Sequence, residues 1–243
     1  MKFFIVFLLA VFLTACGGGQ AVAPVGSYGY KSKSKLKAPS VYKVKKGDTL
    51  YSISWRYGLD YKKLAKINNI RSPYKIFVGQ KLTFKSANKT YSSKKTKSTT
   101  KKASKTTTKK ASSSTQYSSG SLVWRWPTKG RVISTYSKTA AGRKGIDISG
   151  KAGQEVVAAA SGKVVYSGNG LPRYGNLLII KHNDVYLSAY AHNKKLLVKE
   201  GQRVKAGQKI ATMGRLGTQR DQLHFEIRRN GKPIDPMRFL PKK

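Results

Sequence analysis

At 243 residues the chain has room for one large domain, or for two modest ones with connecting segments. Its 49 Lys and Arg against 9 Asp and Glu give a formal charge of +40, a balance that suits nucleic acid, anionic lipid or an anionic wall polymer alike. A single cysteine excludes an internal disulfide, so stability has to come from burial.

The N-terminus supplies an address. Met1-Lys2 precedes a run from Phe3 to Ala15 in which only Thr14 is polar. That run is too short to span a bilayer, which takes about 20 residues, and fits the apolar part of a secretory signal. It ends in Leu13-Thr14-Ala15-Cys16, which resembles a bacterial lipobox. The resemblance implies a signal peptide over residues 1–15 and a lipid on Cys16 that anchors the mature chain to a membrane. Gly17 stands where Asp would retain a lipoprotein in the inner membrane, so the resemblance points to the outer membrane, facing the periplasm. An exported lipoprotein does not meet chromosomal DNA, so nucleic acid is not an expected partner.

Residues 16–40 are rich in Gly, Ser, Ala, Pro and Lys without a hydrophobic period, and read as a tether. Residues 41–84 have a globular composition. Residues 85–120 are almost wholly Lys, Ser, Thr and Ala with no acid, and should form a disordered, self-repelling linker. Its span would be roughly 30–36 Å if Gly/Ser-like. Aromatic and β-branched residues return over 121–243.

The first globular segment opens with alternating apolar residues and a Gly-Asp turn. Apolar residues then recur at helical spacing over 51–57 and 61–68, with Asp60 placed to cap the second helix. A turn and a strand close it, giving a small α+β unit of order βααβ. Gly47-Asp48-Thr49-Leu50, Asn68-Asn69 and Val78-Gly79-Gln80-Lys81-Leu82 at these separations resemble a LysM domain. That family binds N-acetylglucosamine-containing glycans, peptidoglycan among them. The resemblance places sugar between Gly47, Asp48 and Thr49 on one side and Ile76, Phe77, Val78 and Gly79 on the other. Asp48 also suits a turn or cap.

The second segment alternates short β-rich runs (132–135, 156–159, 163–167, 176–181, 185–191, 209–213 and 223–229) with Gly-containing turns, which argues for a mainly antiparallel all-β domain. His182-Asn183-Asp184 reads as a hairpin turn. In the run beginning at Gln222, Gln222 and His224 share one face while Leu223, Phe225 and Ile227 share the other. His192 is expected on the face of Tyr190. Trp124 and Trp126 read as a strand pair packing on the core.

Lys144-Gly145-Ile146-Asp147, Tyr174-Gly175-Asn176, Tyr190-Ala191-His192 and Leu223-His224-Phe225-Glu226 resemble the LytM, or lysostaphin-type, metallopeptidase fold. Active members hold zinc through a His-x-Gly-x-Asp motif and the second His of His-x-His. Here Arg143 and Gln222 stand where two of those histidines belong, while Asp147, His192 and His224 are kept. A guanidinium has no lone pair for a metal, and a carboxamide does not exchange protons near neutral pH. A pairing of Arg143 with Asp147 is expected in place of the metal.

A lipobox, a LysM domain and a degenerate LytM domain in this order resemble the NlpD-type murein hydrolase activators. That resemblance implies a multidomain chain with disordered linkers, no hydrolytic activity, no cofactor and no bound metal. Its partners would be peptidoglycan and a periplasmic zinc amidase, N-acetylmuramoyl-L-alanine amidase, met through Arg143, Asp147, His192, Gln222 and His224 during daughter-cell separation. An active zinc endopeptidase and a purely structural wall tether are the alternatives.

Overall fold

The structure, a computed structural model, describes residues 37–85, 122–139, 143–215 and 218–242. The expected signal peptide, Cys16, most of the tether and residues 86–120 of the expected linker lie outside the described residues.

The N-terminal module runs β1 (Val41–Lys43), α1 (Leu50–Tyr57), α2 (Tyr61–Ile67) and β2 (Lys81–Thr83). Its two strands pair antiparallel, Tyr42 opposite Leu82. Thr49 starts α1 with a capping box: its hydroxyl accepts from the Ser52 N–H at 3.0 Å, and Ser52 Oγ accepts from the Thr49 N–H at 3.0 Å. Asp60 caps α2 as the sequence predicts, accepting from the Lys62 N–H at 2.8 Å. Asn68 ties the end of α2 to β2: its Oδ1 accepts from the Thr83 N–H at 2.8 Å and its Nδ2 donates to the Thr83 carbonyl at 2.9 Å. Leu50, Ile53, Leu64, Ala65 and Leu82 fill the core between helices and hairpin. Trp55 and Tyr61 point elsewhere.

The larger module is a sheet of ten strands, every pairing antiparallel. They are β3 (Val132–Ser134), β4 (Ile146–Ser149), β5 (Glu155–Val157), β6 (Gly162–Gly168), β7 (Asn176–Lys181), β8 (Tyr186–Leu196), β9 (Arg203–Val204), β10 (Lys209–Met213), β11 (Gln222–Arg229) and β12 (Lys232–Ile234). The main path runs β3-β4-β11-β8-β7-β6-β9. Leu223, Phe225 and Ile227 of β11 all enter one core, with Tyr190, Met213 and Trp124. Trp124 and Trp126 lie outside the strands; Trp124 packs in that core, and the Trp126 indole N–H donates to the Pro241 carbonyl at 3.0 Å. Gly145, just before β4, needs its missing side chain, since a Cβ there would meet the Phe225 carbonyl oxygen at 2.0 Å.

The opposite face of the sheet is also buried. Val165, Leu177, Ile179, Leu187, Ala189 and Ala191 form a second apolar cluster, and Trp55 and Tyr61 of the N-terminal module cover it. Arg228 fixes this seam. Its guanidinium sits 3.4 Å from the Trp55 ring centroid and donates to the Trp55 carbonyl at 3.0 Å, leaving Arg228 only 4% exposed. Arg56 donates to the Gly170 carbonyl at 3.1 Å. Gly231, at φ +76°, admits the Leu59 backbone, whose oxygen would lie 2.4 Å from any Cβ there.

His182 lies in the β7–β8 connection, as a turn residue should, yet its ring is buried. Nδ1 lies 2.8 Å from the Ser161 carbonyl and Nε2 2.7 Å from Ser188 Oγ. A carbonyl only accepts, so Nδ1 carries a proton, and the Ser188 hydroxyl can donate to Nε2 of a neutral ring. Burial pushes its pKa down to about 4. An unfolded chain takes up a proton near pH 6.5 that the folded chain refuses until about pH 4, so stability falls with pH through that window, by about 3 kcal/mol in total. Urea melts of His182→Asn at a series of pH values should show a flatter decline there than the parent; parallel declines would contradict this.

Candidate functional site

The expected cleft residues are assembled by β4, β8 and β11. Asp147 and His224 are register partners across β4 and β11, and their side chains bond directly, His224 Nδ1 to Asp147 Oδ1 at 2.6 Å. The other ring nitrogen lies 3.2 Å from Glu226 Oε1. Glu226 is fully buried and is held from three sides. Arg228 Nε and Nη2 each reach its Oε2 at 2.9 Å, and the Tyr174 hydroxyl donates to Oε1 at 2.8 Å. A polar chain thus runs Asp147–His224–Glu226–Arg228 and ends on Trp55 in the other module.

The charges follow from the contacts. Burial alone would push the His224 ring toward neutrality, but hydrogen bonds to Asp147 and Glu226 outweigh it and raise its pKa to about 9. Burial would raise Glu226, and the Arg228 charge together with His224 holds it down at about 2. Burial, then the charge of Glu226, pushes the Tyr174 phenol up, so it remains a donor. Both His224 nitrogens face carboxylates, which favours the protonated ring.

His192 does not follow the expected alternation. Its φ is +65°, which breaks the period-two pattern of β8. Tyr190 packs on Phe225 in one core, while the His192 ring turns to the other face, 6.0 Å from the His224 ring. Its N–H donates to the Tyr174 carbonyl at 2.9 Å. Gln222 lies on the His224 side of β11, half-buried. Arg143 is exposed and does not reach Asp147; its guanidinium binds the Thr135 carbonyl and hydroxyl, both at 2.9 Å. The expected Arg143–Asp147 pair is therefore replaced by His224–Asp147, because a direct register partner is nearer than a loop arginine.

The residues present do not fit a catalytic zinc. Arg143 and Gln222 bring no imidazole, and the remaining pair, Asp147 and His224, spend their donor atoms on each other. Such a zinc wants three protein donors and an open position, with histidine neutral.

The second group of expected site residues lies on the N-terminal module. Asp48 is committed to its turn: its carboxylate accepts from the Tyr42 hydroxyl at 2.7 Å and the Lys45 N–H at 2.9 Å, with Arg56 at 3.6 Å. Thr49 is buried as the α1 cap. Phe77 and Val78 are each 70% exposed, flanked by half-buried Ile76 and Gly79. This loop pair offers backbone groups and apolar surface rather than free carboxylates or hydroxyls. The sequence reading left Trp55, Tyr174, Glu226 and Arg228 out of the site, although continuing the β11 alternation past His224 reaches Glu226 and Arg228.

Residues 42–85 match the LysM domain model and residues 141–236 the model of peptidase family M23. These matches and the fold define a two-module protein, a LysM domain joined to an M23-type, mainly antiparallel β domain. A protein of Escherichia coli K12 named uncharacterized lipoprotein YgeR is 47% identical, over 98% of this chain and 92% of its own length. The murein hydrolase activator NlpD of the same organism is 43% identical, over 90% of this chain and 70% of its own. Outer membrane antigenic lipoprotein B of Haemophilus influenzae is 40% identical, over 88% and 67%. The chain belongs to the NlpD family of murein hydrolase activators.

The His224 contacts predict that its imidazole titrates near pH 9 in the folded chain. Replacing Asp147 by Asn should lower that midpoint by about one to three units. NMR titration of the ring resonances measures both, and an unchanged midpoint in the variant would remove Asp147 as a cause.

Proposed function

We propose that the protein is an outer-membrane lipoprotein, facing the periplasm, that grips peptidoglycan through its LysM domain and activates a periplasmic N-acetylmuramoyl-L-alanine amidase by contact. It has no hydrolytic activity of its own. The observation that carries this reading is the direct His224–Asp147 bond beside Glu226. Both nitrogens of His224 face carboxylates, Asp147 and Glu226, which favours a protonated ring, and a protonated imidazole has no lone pair to give a zinc ion. Arg143 and Gln222 supply neither a third ligand nor a general base.

A peptidase fold without its metal still keeps a concave, polar-lined groove suited to a peptide segment of a partner. His192 and Gln222 lie on the side of Asp147 and His224, Arg143 stands exposed against Thr135 just before β4, and the names of the relatives, murein hydrolase activator and lipoprotein, agree with a role in switching on another enzyme. Cys16 would hold the chain to the membrane, while Phe77, Val78 and the backbone around Gly47 and Gly79 would meet the sugar, Asp48 and Thr49 shaping the loop between.

The test is an addition assay. Soluble protein is combined with such an amidase and purified peptidoglycan, and release of stem peptides from the glycan is followed. Stimulation well above either component alone is expected, and Arg143→Glu should reduce it while murein pull-down is retained. Chelator-sensitive hydrolysis of crosslinked murein by the protein alone would overturn the reading in favour of an active endopeptidase. Absence of stimulation would leave a wall tether.

A further inference from the structure

We propose that the M23-type domain completes the glycan groove of the LysM domain, and that this composite groove selects glycan bearing carboxylate-rich stem peptides over neutral N-acetylglucosamine polymer. The inference deepens the peptidoglycan-binding reading above and rests on it.

The groove is continuous across the seam between the modules. One wall is the LysM surface at Thr49, Tyr74 and Ile76, the edge of the expected sugar site. The other is the surface of β6 and β7 of the M23-type sheet together with the β8–β9 turn, where Lys163, Lys181 and Glu200 lie. The two walls are held in register. Arg228 and Trp55 fix one side of the seam. Asp184 spans another, meeting Lys181 of the sheet at 2.6 Å and Lys62 of α2 at 3.8 Å.

The charge of the groove names its ligand. Lys75, Lys163 and Lys181 line it against two carboxylates, Asp48 and Glu200. Asp48 is already neutralised by the Tyr42 hydroxyl, the Lys45 N–H and Arg56. Lys181 is engaged by Asp184 and Glu200 offsets one further ammonium group, so Lys75 and Lys163 leave an excess of one positive charge. A chain of N-acetylglucosamine is uncharged and gains nothing from it. The stem peptides of peptidoglycan carry free carboxylates, which do. Sugar is met by the exposed apolar side chains and backbone of the LysM loops, and peptide charge by Lys75 and Lys163 on the two walls. The overall charge of +40 does not account for this selectivity, because at physiological salt an exposed charge acts over only about 8 Å.

The experiment uses the full chain with Cys16→Ala, to keep it in solution, and three probes: an N-acetylglucosamine oligomer, glycan strands stripped of stem peptides, and disaccharide–peptide fragments. The variants are Lys75→Gln, Lys163→Gln and the pair together, with Lys209→Gln on β10 as a control for bulk charge. The double variant should bind the peptide-bearing fragments roughly three- to tenfold more weakly, with binding of the uncharged N-acetylglucosamine oligomer and the behaviour of the control unchanged; stripped strands, which carry one lactyl carboxylate per muramic acid, should show a smaller loss. A Lys163→Glu substitution should deepen the loss on the carboxylate-bearing probes and leave the N-acetylglucosamine oligomer unchanged. No loss, an equal loss on all three probes, or the same loss in the control would overturn the composite groove while leaving LysM binding intact. Failure of the parent chain to bind any of the three would remove the peptidoglycan reading as well.

Discussion

A carboxylate with no exposure to water organises this molecule. Glu226 is fully buried, and a lone ionised carboxylate there would be prohibitively costly. It survives because the next residue on its face of β11, Arg228, brings a guanidinium onto it, and the previous one, His224, brings a protonated ring. Neither cation could be buried without further partners. Asp147 completes His224 from β4, and the Trp55 ring and carbonyl complete Arg228 from the LysM domain. Each charge therefore requires the next, and the sequence of requirements crosses from the cleft to the module interface. Removing any one member strands its neighbour, which costs more than the bond itself was worth.

The same chain decides what the cleft can do. Asp147 and His224, register partners on β4 and β11, lie within direct hydrogen-bonding distance, 2.6 Å. Asp147 and Glu226 face His224 and Arg228 at close range, so the acidic groups of the cleft have basic partners within the protein. A cleft neutralised in this way stays polar and shaped, which suits recognition. Membership of the murein hydrolase activator family fits a surface of that kind better than a reaction centre.

Much of this was legible before any coordinates. The LysM signature follows from turn, cap and strand residues that act locally, and Asp60 caps α2 because capping needs only its own neighbours. The β11 alternation separated Leu223, Phe225 and Ile227 from His224 without ambiguity, since eight residues of strand leave little room for a register error. The short strands β4, β9 and β12 were not legible, because two to four residues carry no measurable period. His192 was misassigned to the face of Tyr190 because a single left-handed residue inverts the alternation, and nothing in a histidine announces a φ of +65°. His182 looked like a turn residue and is one, yet a backbone carbonyl from Ser161 draws its ring into the core. Arg143 is expected at Asp147 as one cation in place of another, whereas the sheet register gives Asp147 to His224. Trp55 was invisible as a docking residue because its partner lies 173 positions away.

The seam between the modules ties the LysM domain to the polar residues of the cleft. Trp55 and Arg228 lie on the face of the sheet that also carries His224, and Arg228 comes within 3.4 Å of the Tyr174 hydroxyl. Arg228 joins the Trp55 carbonyl to Glu226, and Glu226 meets Tyr174 and His224, so one buried hydrogen-bond chain runs from α1 to Asp147. Around that chain the Arg56–Gly170 and Lys62–Asp184 contacts and the close approach of Gly231 to the Leu59 backbone spread the interface over several elements, so removing the guanidinium would weaken the seam without leaving it bare.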